Sequence, residues 1–232
     1  MGQAAARYDG HADWYDKHFG AVPPEDRDIL IGLLEAGQGL CVDLACGGAR
    51  FADALAGLGY RVVGVDLSDD QLQLAQRRGV VCVRADAGRL PFRDATLGAV
   101  AGFYFHTDLE NFHAVVAEVF RCLLPGGRFV YLGLHPCFNA PFVDRTRESD
   151  EQLVVVEPGY GDAGWVRRSR TPLGLWERVG GHHKTLEGLL GAILDAGLSL
   201  IAVRELGGGG TILPRNIALL AAKPGEAVYA SR

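Results

Sequence analysis

The strongest constraint on this chain is a repeated alternation of short apolar runs with amphipathic stretches between Leu40 and Gly133. This alternation is typical of strand and helix units on a parallel sheet, because each buried strand is followed by a covering helix. Five runs carry the pattern: GLCVDLA, YRVVGVDL, VVCVRA, LGAVAGFYF and GRFVYLGL. We therefore predict an α/β fold built on a doubly wound, mostly parallel sheet.

Helix boundary signals lie between these runs. Ser68 has a side chain suited to capping a helix that Gly79 would end. A further helix is predicted to open near Arg50, and another to begin at Asp108 and to stop at the Pro-Gly-Gly segment 125–127. These helices are the crossovers that a parallel sheet requires.

Regular patterns return near the end of the sequence. Thr185 is suited to capping a helix that ends before Gly197. Two final runs, LSLIAVREL and NIALLAAK, are joined by the glycine-rich segment GGGGTILPR. Because this connection is short and contains no helix, the two strands must be antiparallel neighbours. The predicted sheet thus has seven strands, with a C-terminal antiparallel strand.

Composition limits the class of protein. A length of 232 residues with 48% hydrophobic residues favours one domain over 1–232. With 23 basic and 28 acidic residues the formal net charge is −5, which argues against binding of nucleic acid. No apolar run approaches the roughly 20 residues that cross a bilayer, so no membrane association is expected. The oligomeric state is not indicated.

The N-terminal sequence and the cysteines bear on location. The stretch MGQAAARYDGHADWYDKHF lacks the apolar core of a signal peptide. The five cysteines form no C-x-x-C pair and are interpreted as small core residues in a reducing compartment. We expect a cytoplasmic protein.

Acidic residues follow three successive predicted strands. Asp43 precedes a turn of small residues, Asp66 ends the next strand 23 residues later, and Asp86 follows the third. Ligands of open α/β sheets bind outside the carboxyl ends of the strands, where a carboxylate can accept from ribose hydroxyls or from an adenine amine. Three acids at one site suit a cationic ligand better than a pyrophosphate.

Four segments carry a resemblance to a known family. DLACGGAR, GVDLS, ADAGRLPF and LLPGGRFV resemble the corresponding motifs of the class I S-adenosylmethionine-dependent methyltransferases, and the match covers about Tyr8 to Pro224. The family's first motif usually reads D-x-G-x-G-x-G, so Ala45 and Ala49 replace two glycines here. Alanine is a mild departure only if neither position needs a positive φ.

The resemblance implies a Rossmann-like fold that binds S-adenosyl-L-methionine. It implies that Asp43 and Gly47 lie near the methionine end of the cofactor and that Asp66 binds the ribose hydroxyls. It also implies that Asp86 and the Ala87 amide bind the edge of the adenine. The residues predicted to bind the cofactor are Tyr15, Asp43, Ala45, Cys46, Gly47, Asp66, Leu67, Asp86, Ala87 and Phe103.

Histidines are the candidate bases for a methyl transfer. His106 follows the fourth strand and His135 the fifth, so both are expected to point into the cofactor cleft. His183, with His182 beside it, would lie on the substrate side by the family resemblance. The alternative for each histidine is a packing or capping role. No H-x-H or H-E-x-x-H spacing supports a metal site.

Two segments are predicted to flank the cleft. Residues 1–36 resemble the N-terminal helical cover of many small-molecule members, and Tyr8 and Tyr15 would share one helical face. Residues 135–182 are interpreted as a substrate-side insertion or lid, in which Trp165 and Trp176 could face an aromatic substrate. The arginines of this segment are interpreted as solvated surface.

The leading hypothesis is a methyltransferase acting on a small molecule, with oxygen slightly favoured over nitrogen or carbon because of the histidines. One alternative is an enzyme of this fold that catalyses an isomerisation or cyclisation with bound cofactor. A second, an NAD-dependent oxidoreductase, is disfavoured by Asp43 and by the antiparallel strand pair.

Overall fold

The computed structural model describes residues 6–139, 143–144, 159–167, 173–207 and 213–225. Seven strands form one sheet, namely β1 Leu40–Leu44, β2 Arg61–Asp66, β3 Val81–Arg84, β4 Leu97–Phe103, β5 Leu123–Leu134, β8 Ser199–Leu206 and β9 Asn216–Ala222. Their spatial order is β3-β2-β1-β4-β5-β9-β8. The pair β6 Gly164–Val166 and β7 Gly181–His183 forms a separate antiparallel ribbon.

Strand direction confirms the predicted topology. Strands β1 to β5 pair in parallel, and β9 pairs antiparallel with both β5 and β8. The first strand, β1, lies in the middle of the sheet. The following strands run outward to β3, and the chain then returns to β4 on the other side of β1. The order therefore reverses between β1 and β4, and a ligand cleft is expected at their carboxyl ends.

Helices connect the strands and cover the sheet. They are α1 Ala12–Phe19, α2 Pro24–Leu34, α3 Ala52–Gly57, α4 Asp69–Arg77, α5 Phe112–Cys122, α6 Leu175–Val179 and α7 Leu186–Asp195. The predicted caps of α4 and α7 are confirmed, since the Ser68 and Thr185 hydroxyls accept from Gln71 N and Gly188 N. None of these helices is long and apolar enough to span a membrane.

One helix begins later than predicted. A single 3₁₀ turn covers His106–Asp108, and α5 starts only at Phe112. The reason is the side chain of Asn111, which accepts from Ala114 N and fixes the first turn there. Asp108 is thereby left outside the helix, at the rim of the cleft.

Candidate cofactor site

One pocket lies at the carboxyl ends of β1 to β4. All ten residues predicted to bind the cofactor line it, namely Tyr15, Asp43, Ala45, Cys46, Gly47, Asp66, Leu67, Asp86, Ala87 and Phe103. The parallel register explains this convergence, because Asp43 pairs with Gly64 and Asp66 with Arg84. The structure thus brings the predicted residues together, while the ligand that they hold stays a prediction.

The loop after β1 is tightly wound. Ala45 and Gly47 both have φ of 52°, and Ala49 has φ of 55°. Left-handed backbone costs an alanine roughly 1–2 kcal/mol, which glycine avoids. The two alanines that depart from the family motif therefore do occupy positions that favour glycine, and the loop keeps its shape at some cost in stability.

Asp66 ties this loop to the second strand. Its carboxylate accepts from the Gly47 amide at 2.8 Å and from the Ser68 amide at 2.9 Å. Each oxygen retains a lone pair that can accept a further hydrogen bond. Burial raises the pKa of Asp66, and the backbone donors partly oppose that rise.

Asp43 is a buried carboxyl that needs a donor. It is 1% exposed, it lines the pocket, and neither carboxyl oxygen has a hydrogen-bond partner in the described part of the chain. Burial, together with the nearby Asp66 charge, raises the pKa of Asp43 to about 8. A ligand that places a cationic donor at this end of the pocket would satisfy it.

Asp43 should make the stability of the ligand-free protein depend on pH. Its pKa is about 8 in the folded protein, against 3.8 for an ordinary aspartate, so the folded state binds more protons between those values. The free energy of unfolding should therefore fall as pH rises through this window. The asparagine of Asp43→Asn does not titrate. Between pH 5 and 8 the free energy of unfolding of this variant, relative to that of wild type, should therefore rise by up to about 1.4 kcal/mol per pH unit.

Urea denaturation at pH 5, 6, 7 and 8 measures this difference. Asp53→Asn, which changes an exposed carboxyl on α3, is the matched control and should run parallel to wild type. A constant difference between Asp43→Asn and wild type would show that Asp43 is already ionised at pH 5.

Asp86 occupies a more open place. It is exposed, lines the pocket and accepts from the Gly88 amide at 2.8 Å, which closes a turn after β3. This contact matches the turn-forming role that an aspartate often has. Its predicted contact with adenine would use the remaining acceptor capacity of the carboxylate.

The expectation that His106 points into the cleft is wrong. Its imidazole is buried, and Nδ1 is hydrogen-bonded to the Tyr131 hydroxyl inside the core. Burial lowers the pKa of His106 to about 3, so the ring is neutral at pH 7. The 3₁₀ turn directs the ring back toward β5.

His135 also turns away from the cleft. It is 1% exposed, its Nδ1 accepts from Cys137 N at 3.1 Å, and its Nε2 lies 2.9 Å from a Glu205 oxygen. Neither His135 nor His106 is among the described residues that line the pocket. The turn 136–138 wraps around the ring, so the packing alternative fits His135.

His135→Ala should therefore act on stability. We expect the free energy of unfolding to fall by about 1–3 kcal/mol, because the Cys137 amide loses its acceptor and a cavity is left. Affinity for the cofactor should stay unchanged, as read by calorimetry beside urea denaturation. Normal stability with selectively impaired methyl transfer would return His135 to a catalytic role.

His182 and His183 lie at a surface depression separate from the cofactor pocket. Both line a surface depression with Trp165, Lys184 and Glu110, outside the cofactor pocket. His183 Nε2 is 2.8 Å from the Tyr160 carbonyl oxygen, and the His182 ring packs on Trp165. The structure therefore places His183 away from the described pocket lining. Trp176 is buried, whereas Trp165 is half exposed.

Sequence reasoning missed Asp108 at the rim of the pocket. The Tyr8 hydroxyl donates to Asp108 Oδ1 at 3.0 Å, and Arg7 donates to the Asp108 carbonyl oxygen. Burial raises the pKa of Asp108 to about 7, which the Arg7 charge and the Tyr8 hydrogen bond partly oppose. The available signal was its position directly after the fourth strand, where the two preceding residues are His106 and Thr107.

The N-terminal segment lies across the pocket. Tyr15, Asp16 and Phe19 of α1 line it, and so does Tyr8, which precedes the helix instead of sharing its face. The Tyr8 and Tyr15 rings nevertheless meet edge to face, with centroids 5.2 Å apart. Asp9 accepts from the Ser68 hydroxyl at 2.6 Å, which fixes the segment to the start of α4.

Comparison with known proteins shows similarity to methyltransferases. Residues 42–131 match the family model described as a methyltransferase domain. The curated ubiquinone/menaquinone biosynthesis C-methyltransferase UbiE of Desulfotalea psychrophila is 38% identical over 117 residues, which cover 47% of either chain. A demethylmenaquinone methyltransferase of Thermobifida fusca is 31% identical over 54% of this chain and 58% of its own. The chain thus spans about half the length of these relatives.

Solved structures agree on the fold. An S-adenosylmethionine-dependent methyltransferase from Mesorhizobium loti has a TM-score of 0.66 at 20% identity, covering 92% of this chain and 98% of its own. Geranyl diphosphate C-methyltransferase from Streptomyces coelicolor has a TM-score of 0.60 at 18% identity, covering 86% and 78%. The strand order, the matched domain model and these structures make the chain similar in fold to the S-adenosylmethionine-dependent methyltransferases.

Proposed function

We propose that this protein transfers a methyl group from S-adenosylmethionine to a carbon atom of a small molecule. The observation that carries the proposal is Asp43, a buried carboxyl that lines the pocket and has no donor within the described residues. An ammonium group would favour the ionised form of such a carboxyl and pair with it, whereas a pyrophosphate would disfavour its ionisation and form no ion pair with it. This difference also favours S-adenosylmethionine over NAD.

The other pocket residues fit the rest of the cofactor. Asp66 would accept from the ribose hydroxyls, with Leu67 beside the adenine, and Asp86 with the Ala87 amide would meet the adenine edge. Phe103, stacked on Phe51 at 3.8 Å between ring centroids, would border the methionine portion. When bound, S-adenosylmethionine supplies an electrophilic methyl group on a sulfonium. The chain's task is to orient an acceptor toward that group and to keep water out.

Carbon replaces oxygen as the favoured acceptor atom. The preference for oxygen rested on histidines beside the cofactor, and no histidine is among the described residues that line the pocket. One similar curated protein is named a ubiquinone/menaquinone biosynthesis C-methyltransferase, and one similar structure is a geranyl diphosphate C-methyltransferase. Nothing in the site favours the isomerisation or cyclisation alternative.

Asp108 is the proposed proton acceptor. It lies at the pocket rim after β4, its pKa of about 7 lets it be a carboxylate at neutral pH, and Tyr8 orients one oxygen. Loss of a proton from the acceptor would raise its nucleophilicity before or during methyl transfer. Tyr8 lines the pocket beside this carboxyl, as part of the N-terminal segment that lies across the pocket.

The proposal is tested by the formation of S-adenosylhomocysteine from S-adenosylmethionine in the presence of candidate acceptors. A reduced demethylnaphthoquinone is the first acceptor to try, and geranyl diphosphate and a phenol lacking a free ring position are comparison acceptors. Turnover with a carbon acceptor, with the product's new C-methyl seen by mass spectrometry and NMR, supports the proposal. Turnover confined to the blocked phenol would contradict the assignment to carbon.

A further inference from the structure

Two cysteines lie side by side, one in the loop after β1 and the other on β3. Cys46 belongs to the loop and lines the pocket, and Cys82 lies on β3 at the outer edge of the sheet. Between them Gly64 of β2 has no side chain. A β-carbon at Gly64 would be 2.8 Å from Cys46 Sγ and 3.3 Å from Cys82 Sγ, so both sulfurs fill that one space.

The two thiols are chemically unequal. The proximity of the two thiols lowers the pKa of Cys82 and raises that of Cys46, and burial raises the latter further. Cys82 is partly exposed at the sheet edge, whereas Cys46 is buried. Because the thiolate is the reactive form, an oxidant should react first at Cys82.

The remaining cysteines form no such pair in the described part of the chain. Cys41 and Cys122 are buried in the two main apolar clusters, and Cys137 lies in the turn after β5. Cys46, in contrast, packs in a small cluster with Ala49 and Leu72, and Cys82 packs against that cluster.

We propose that a hydroperoxide links Cys46 and Cys82 in a reversible disulfide that weakens binding of S-adenosylmethionine. The Cys82 thiolate attacks the terminal oxygen of the hydroperoxide, which breaks the O–O bond and gives a sulfenic acid and an alkoxide, or hydroxide when the oxidant is hydrogen peroxide. The Cys46 sulfur then displaces the sulfenic oxygen, which leaves as water with the Cys46 proton. Both thiols are oxidised and one peroxide is reduced. The effect on affinity rests on the proposed function, because the cofactor is the ligand affected.

The loop geometry explains why the bond would reach the ligand. A disulfide holds its sulfurs about 2.05 Å apart, much closer than two thiols in contact. The bond would therefore draw Cys46 toward β3, against the hydrogen bond of 3.0 Å from Cys46 N to Val65 O. The next residue, Gly47, donates to Asp66 at 2.8 Å. A shift of Cys46 is thus passed directly to the carboxylate that is proposed to hold the ribose.

The full chain, first reduced with dithiothreitol and then treated with hydrogen peroxide and catalase, tests this proposal. Met1 is the sole methionine of the sequence, so oxidation of methionine in the core does not confuse the result. Non-reducing digestion and mass spectrometry should show a linked Cys46–Cys82 peptide. Calorimetry should show affinity for S-adenosylmethionine at least tenfold lower than in the reduced protein, and dithiothreitol should restore it.

Two variants serve as controls. Cys82→Ser should bind as the reduced wild type does and should not respond to peroxide, while Cys137→Ser should respond as wild type does. Absence of the linked peptide, or a linked protein whose affinity stays within twofold, would overturn the proposal. A reduced protein that does not bind S-adenosylmethionine would contradict the proposed function and with it the effect on affinity, while the peptide map still tests the bond.

Discussion

Asp66→Ala should weaken the binding of S-adenosylmethionine by about 2–4 kcal/mol, or about 30- to 1,000-fold. The ribose hydroxyls would lose their acceptor in a partly dry pocket. The same change leaves the amides of Gly47 and Ser68 without the carboxylate that now accepts from both. Two losses therefore combine, one in the ligand contact and one in the loop that surrounds it.

Isothermal titration calorimetry measures this loss. Asp69→Ala is a suitable control, because Asp69 lies three residues away, outside the described pocket lining, with a half-exposed side chain that pairs with Arg84. That variant should bind as wild type does. An affinity of Asp66→Ala within threefold of wild type would remove Asp66 from the ribose role.

Asp108→Asn should lower kcat about 10²- to 10⁴-fold while leaving cofactor affinity within a few-fold. The amide keeps the shape of the side chain but cannot accept a proton. In wild type, kcat should rise with pH and level off above about 7, because the carboxylate is the active form and its pKa is about 7. This rise should be absent from the residual activity of Asp108→Asn.

Tyr8→Phe gives an independent readout. The Tyr8 hydroxyl lowers the pKa of Asp108 by donating to the carboxylate, so its removal should shift the rise in kcat to higher pH. Glu110→Gln changes an exposed carboxyl two residues along the chain and should leave the profile unchanged. If Asp108→Asn retained both full kcat and the wild-type pH profile, Asp108 would not be the proton acceptor.

The sequence predicted which residues line the pocket for a physical reason. Parallel strands all end at the same edge of the sheet, so acids that follow successive strands must converge. Asp43, Asp66 and Asp86 needed only correct strand assignments to be placed in one pocket. The antiparallel pairing of β8 and β9 could also be predicted from the sequence, because the connection between these strands is too short for a crossover.

The candidate proton acceptor could not be predicted in the same way. His106 and His135 follow the correct strands, but the direction of a side chain after a strand depends on the turn that comes next. A 3₁₀ turn sends His106 toward Tyr131, and the turn 136–138 encloses His135. Asp108 lies at the pocket because α5 is capped by Asn111 and does not begin at Asp108. The spacing of apolar residues does not show which of these two positions begins the helix.

The most direct test of the central claim is calorimetric titration of the purified protein with S-adenosylmethionine and, separately, with NAD. The proposal predicts one S-adenosylmethionine bound per chain with micromolar or tighter affinity, competition by S-adenosylhomocysteine, and binding that is lost in Asp66→Ala. No binding of NAD is expected, since its pyrophosphate would form no ion pair with Asp43 and would disfavour ionisation of that carboxyl. A folded protein that binds NAD and not S-adenosylmethionine would contradict the claim.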